Sequence, residues 1–304
     1  MLFTRDEAIA RLRGIGRGLP VRIRSPHTRF GEHKSVFRNV GFDFQQFAEY
    51  DPEKHAFWQI AWDMTDDTDE DALLVREYRE TRVVPVVLVC DVSHSMLFGV
   101  DRQEKAMLLL ELAGAFAFTA VHDQDPVGAV LFTDQVVQDI PPKPGKGHGY
   151  YIASSIYSFW EILEKAERVA GQPTNFFRAL SHVRGRYTRP SVVAILSDFV
   201  GGESLASSAL MRSFAARHDV MCCILDDPNE FARIRGWFGH IPDENPETGV
   251  ITSVSVREAR RKHHEILKRR EQMIDEFKRI NVSCTVFQYG DHYQTLTKLL
   301  AERR

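Results

Sequence analysis

The chain has 304 residues, 43% of them hydrophobic, and a formal net charge of -3. That is enough apolar material for one large domain or for a domain with a small companion. The near-neutral balance supplies no basic field for phosphate backbones and argues against nucleic acid as a partner.

The opening segment, MLFTRDEAIARLRG, is charged throughout and lacks the uninterrupted apolar run of a signal peptide. No later stretch reads as long enough to cross a bilayer, so the expectation is a cytoplasmic chain without a transmembrane segment. GIGRG, Gly14 to Gly18, has no strand before it and reads as a flexible turn. Residues 1–80 are predicted to form an aromatic-rich, partly β subdomain, because FRNVGFDFQQFAEYDPEKHAFWQIAWDM carries many rings without a long helical period. The acidic run Asp66, Asp67, Asp69, Glu70 and Asp71 lacks the glycine and spaced oxygens of a calcium loop and reads as solvated.

Residues 81–304 change style. Short β-branched runs alternate with segments of helical period, the pattern of an α/β domain with a mostly parallel sheet. Strands are predicted at Pro85–Cys90, Val127–Phe132, Val136–Ile140, Ser191–Leu196, Val220–Leu225 and Val282–Gln288. Only the gap at Thr133–Gln135 is turn-sized, which makes the third of these an antiparallel edge strand. A helix over Asp101–Val121 places Ala106, Leu109, Leu110, Ala113, Ala117 and Ala120 on one stripe. A second, Arg257–Ile280, aligns Ile266, Met273, Phe277 and Ile280, and a third covers Gln294–Glu302.

Between these elements several segments take bland readings. KPGKGHGYY, Lys143 to Tyr151, has no Gly-Lys-Ser/Thr ending and reads as a mobile loop. The segment from about 226 to 250 is an insertion, with Trp237 and Phe238 as a satellite core or an exposed docking patch. RRKHHEILKRR reads as a solvated helix face, and His263, His264 and Glu265 do not form HExxH. Cys90, Cys222, Cys223 and Cys284 lie in strand-like contexts without CxxC spacing and read as buried free thiols.

The stretch VVPVVLVCDVSHSM asks for chemistry. A buried strand ends in Asp91, Ser93 and Ser95, whose alternation turns a carboxylate and two hydroxyls to one side. In open α/β sheets that carboxyl edge is where ligands sit. Oxygen donors alone suit magnesium, or manganese or calcium, better than zinc. Further oxygens are available from Thr174 in GQPTNFFRAL, before a helix, and from Asp198 in SVVAILSDFVGG, after another strand.

Asp91, Ser93, Ser95, Thr174 and Asp198, in that order, resemble the metal-ion-dependent adhesion site of von Willebrand factor A-like domains. The resemblance implies a Rossmann-like, mostly parallel sheet with one antiparallel edge strand and helices on both faces. It also implies binding rather than catalysis: a divalent cation whose open position takes an aspartate or glutamate of a protein partner. Tyr50, Asp51, Ile60, Trp62, Ser95, Met96, Gly99, Asp125, Val127 and Gly128 are similar to the motifs of the bacterial family called domain of unknown function 58. Glu53, Lys54, Trp58 and Ala61 depart from its pattern. That family is commonly encoded beside MoxR-type AAA+ ATPases, which implies such a partner.

Two other readings stand beside this one. A magnesium-dependent phosphohydrolase of the haloacid dehalogenase type wants a second acid two residues after the first, and Ser93 stands there. A structural scaffold with an empty metal site would use the same aspartates and serines as helix caps.

Overall fold

The structure is a computed structural model that describes residues 4–18, 43–53, 55, 57, 60–62, 73–79, 84–97, 104–122, 124–165, 174–227, 240–244 and 251–302. The chain divides into two compact units, residues 28–83 and residues 1–27 with 84–304.

In the smaller unit, β1 (Asp43–Glu49) and β2 (Leu74–Arg79) pair antiparallel with a register shift between Phe44 and Gln46. Ile60 bridges to Val75, and both are buried. Lys54, Trp58, the run from Asp66 to Asp71 and Gly99 lie outside the described residues.

The larger unit is built on a six-stranded sheet. Its strands are β3 (Val86–Asp91), β4 (Val127–Phe132), β5 (Val136–Lys143), β6 (Val192–Ser197), β7 (Asp219–Asp226) and β10 (Ser283–Gln288), in the order β10-β7-β6-β3-β4-β5. All neighbours are parallel except β4 and β5 at the edge, as the short gap between them predicts. Along β3 the side chains alternate between two cores: Val86, Leu88 and Cys90 face one, Val87 and Val89 the other. Burial on both faces is why these strands read as continuous apolar runs.

The first core packs α1 (Arg5–Gly18), α2 (Glu104–His122), α3 (Lys146–Lys165) and α7 (His292–Glu302). The second packs α4 (Phe176–Arg186), α5 (Ala209–Ala215) and α6 (Val256–Arg279). Each helix of the second core begins on a capping side chain: Asn175, Ser208 and Ser255 accept the backbone N–H of Arg178, Met211 and Glu258. β8 (His240–Glu244), within the inserted segment, pairs antiparallel with β9 (Ile251–Ser255), just after it. Trp237 and Phe238 lie outside the described residues.

Several sequence expectations need correction. Gly14 to Gly18 is not a turn but the last stretch of α1. Ala8, Leu12 and Ile15 of that helix enter the first core, so the N-terminal segment belongs with the α/β unit rather than with a subdomain over residues 1–80. Lys146 to Tyr151 opens α3 instead of forming a loop, because Ile152, Ala153, Ile156 and Trp160 recur at helical spacing and are buried. Helix α2 is long and apolar enough to cross a membrane by length and composition, against the reading that no stretch is. Of that apolar span, 83% is buried inside the unit, where it is buried on nearly every side. Ile266 is 41% exposed, in a stretch of α6 where no residue between Ala259 and Met273 is buried.

A buried polar knot joins three helices of the first core. Glu111 of α2 accepts from Arg11 of α1 at 3.0 Å, and it is 2.8 Å from His292 Nε2 and 2.9 Å from the Tyr293 hydroxyl, both of α7. Burial raises the Glu111 pKa, but these bonds outweigh it and hold the carboxyl below its ordinary range.

Two expected outcomes follow from this packing. A Cβ on Gly128 would meet Ile140 O at 2.6 Å and Pro142 N at 2.7 Å, whereas one on Gly14 meets nothing within 4 Å. Gly128→Ala should cost about 1–3 kcal/mol and Gly14→Ala should stabilise by about 0.5–1 kcal/mol, as read by denaturant titration. His218 is 1% exposed and neither of its ring nitrogens has a hydrogen-bond partner. Burial, helped by Arg217, pushes its pKa from 6.5 down to about 4. The unfolded chain therefore takes up a proton that the folded one resists, and stability is complete above pH 6.5 and declines towards pH 4. His218→Phe should flatten that decline by roughly 3 kcal/mol, measured as unfolding free energy against pH.

Candidate metal centre

Asp91 is the last residue of β3, and its two sheet neighbours β6 and β4 run parallel to it, so three carboxyl ends share one edge. Asp198 follows β6 directly. The loop before α4 is tied to the same edge by the Asn175 N–H, which donates to the carbonyl of Thr133, just past β4, at 3.0 Å. The connection from one strand to the next thus delivers all three predicted segments to one place.

The site itself is buried. Asp91 is fully buried, Ser95 is 1% exposed, and Ser93 and Asp198 are each 6% exposed. The Ser93 N–H donates to Asp91 Oδ1 at 3.0 Å, and the Ser93 and Ser95 hydroxyls lie 3.0 Å apart. This convergence is not produced by an extended turn. The chain enters a 3-10 helix, His94–Leu97, immediately after Ser93, and the tight turn brings the two hydroxyls together. His94 is half-buried beside them. Thr174 is half-buried at the edge and forms no hydrogen bond with the other four residues.

Two residues that the motif did not mark complete the network. Ser197, the last residue of β6, donates its hydroxyl to Asp91 Oδ2 at 2.6 Å and accepts the Phe199 N–H at 2.9 Å. Lys105, on the first turn of α2, places Nζ 3.3 Å from Asp198 Oδ2, with both side chains almost fully buried. Asp198 Oδ1 accepts the Val200 N–H at 3.1 Å. A serine one residue before the acid, and a lysine at the start of the next helix, are the only sequence signals these two offered.

The turn that carries Asp198 is strained. Phe199 has φ 57°, a left-handed conformation that bulky residues avoid at a cost of about 1–2 kcal/mol. Packing holds it there: the Phe199 ring stacks on Phe176 at 5.3 Å and meets Phe277 edge-on at 6.0 Å, while Phe176 meets Phe132 at 5.4 Å. The strain therefore aims the Val200 N–H at Asp198 and the Phe199 N–H at Ser197.

The electrostatics ask for positive charge. Burial and the neighbouring Asp198 push the Asp91 pKa up to about 7, against the lowering by Ser197 and Ser93. Among the described residues no three His, Cys, Asp or Glu side chains gather as a metal cluster. The donors are two carboxylates and the serine hydroxyls, a hard, all-oxygen set that fits magnesium, manganese or calcium better than zinc. The four cysteines are free thiols in the strands, three of them buried, and Cys90, next to Asp91, belongs to the first core.

Comparison with known proteins places this edge in context. The family model described as protein of unknown function DUF58 matches residues 49–273, a span that includes all five predicted site residues. An uncharacterized protein of Mycobacterium bovis and two of Mycobacterium tuberculosis are each 25% identical over 187 residues, 62% of this chain and 56% of theirs. The chain thus spans little more than half the length of these relatives. Among solved structures, the conserved hypothetical protein BatB of Bacteroides thetaiotaomicron is 15% identical with a TM-score of 0.36. An uncharacterized membrane-spanning protein of Vibrio fischeri is 10% identical with a TM-score of 0.23. Each likeness covers 72% of this chain and 98% of the other, at scores too low to transfer any property.

Ser197→Ala removes a buried donor to Asp91 and the acceptor of the Phe199 N–H. It should destabilise the unit by about 1–3 kcal/mol, seen as a lower denaturation midpoint with an unchanged slope.

Proposed function

We propose that this chain, which belongs to the DUF58 family, is a metal-dependent protein-binding module with a von Willebrand factor A-like fold and a metal-ion-dependent adhesion site. The observation that carries the reading is the pair of buried carboxylates, Asp91 and Asp198, beside the facing hydroxyls of Ser93 and Ser95 at the carboxyl edge of the sheet. Asp91 and Asp198 would supply charge, Ser93 and Ser95 would complete the oxygen set, and Thr174 would reach the site from the loop before α4. Magnesium is the first choice of ion, with manganese or calcium as alternatives.

The bound ion would supply a positively charged open position for an aspartate or glutamate of another protein. The chain's own residues do the rest. Ser197 orients Asp91, the strained turn at Phe199 orients Asp198, and the surrounding apolar core excludes water that would weaken a charge-assisted contact. No acid stands two residues after Asp91, where a phosphohydrolase of the haloacid dehalogenase type would need one, so binding is favoured over turnover. A MoxR-type AAA+ ATPase is the partner this reading favours.

The test is affinity capture from native lysate with wild type and Asp91→Ala, each in magnesium and in chelator, with the ATPase followed by mass spectrometry. The ATPase should be retained by wild type in magnesium and lost in the other three conditions. Equal retention in all four would contradict metal-dependent binding and favour a scaffold with an empty site. Turnover of a phosphate ester that disappears in Asp91→Ala would favour the phosphohydrolase.

A further inference from the structure

We infer that Lys105 is a built-in cation of the metal centre, and that its ammonium group and a divalent ion compete for Asp198. The inference rests on the metal-site reading above and adds a residue that decides when the site is open.

Lysine is almost never fully buried unless it is paired. Here the side chain is 2% exposed and Nζ lies 3.3 Å from Asp198 Oδ2, itself 3% exposed. The ammonium thus stands against one of the oxygens that the proposed ion would use. Asp91, Asp198 and Lys105 together carry one net negative charge. A divalent ion added to that set leaves one net positive charge in a place water does not reach, with two cations drawing on one carboxylate. Once Lys105 has left Asp198, the ion and the two carboxylates balance. Binding of the ion and the Lys105–Asp198 contact are therefore alternatives.

Two properties of the protein follow. Without metal, Lys105 keeps Asp198 from standing as an uncompensated buried charge, so the edge stays folded. With metal, part of the binding free energy is spent on displacing Lys105, and the affinity is lower than the oxygen donors alone would give. The site is then selective for high local ion concentration, or for a partner whose acidic residue arrives together with the ion.

The experiment is calorimetric titration of magnesium chloride and of manganese chloride into the full chain as wild type, Lys105→Met, Lys105→Gln and Lys105→Arg, with thermal unfolding of each in chelator and in saturating magnesium. Lys105→Met should bind about tenfold or more tightly than wild type, melt below wild type in chelator, and recover in magnesium. Lys105→Gln repeats the comparison with a polar head, and Lys105→Arg, which keeps the charge, should bind as weakly as wild type. If wild type binds and neither neutral variant binds more tightly, the competition is overturned while the metal centre stands. If Lys105→Arg gains affinity as the neutral variants do, charge is not the cause and the inference also falls. If no form binds either ion, the metal centre itself is refuted and this inference with it.

Discussion

Two carboxylates from adjacent parallel strands are buried within electrostatic reach of each other, and the rest of the edge is arranged around that repulsion. Asp91 and Asp198 would each be cheaper in water. They are kept in by donors assigned one by one: the Ser93 N–H and the Ser197 hydroxyl to Asp91, the Val200 N–H and the Lys105 ammonium to Asp198. Even so, burial and the neighbouring Asp198 hold the Asp91 pKa above its ordinary value. A site so arranged is poised for a cation, and that demand is what the proposed function uses.

The cost of the arrangement is distributed through the second core. The left-handed Phe199 exists because Phe176 and Phe277 clamp its ring, and Phe176 opens the helix that brings Thr174 to the edge. The same aromatic contacts therefore position both the acid after β6 and the loop before α4. On the other face, α2 presents Lys105 from a helix that is itself fixed by the Glu111 knot to α1 and α7. A change in how the first turn of α2 is seated would be felt at Asp198 directly, which is the physical basis for reading Lys105 as part of the site.

Much of the frame was legible because its elements are buried on both faces. The six strands of the main sheet fall within about two residues of their predicted starts and three of their predicted ends, and the short gap after Phe132 correctly foretold the antiparallel edge. Failures came where a local cue and tertiary burial disagree. Glycines suggested a turn at Gly14–Gly18 and a loop at Lys143–Tyr151, but Leu12, Ile15, Ile152 and Ile156 had apolar surface to bury, and the first segment and residues 146–151 of the second are helical. Ile266 kept helical phase but lies 41% exposed in a stretch of α6 without a buried residue. At the site, Asp91, Ser93, Ser95, Thr174 and Asp198 were named from strand ends and from the resemblance; the structure holds the first three in one turn with Asp198 beside Asp91, while Thr174 forms no hydrogen bond with them. Ser197 and Lys105 were not readable, since a serine next to an acid and a lysine in the first turn of a helix are ordinary surface residues until the fold buries them.

The most direct measurement is a crystal structure of the chain grown with manganese chloride, with anomalous diffraction used to locate the ion. The account predicts an anomalous peak coordinated by Asp91, Ser93, Ser95 and Asp198, with the Lys105 ammonium withdrawn from Asp198. A map with no peak at this edge, and Lys105 still paired with Asp198 at saturating manganese, would contradict it.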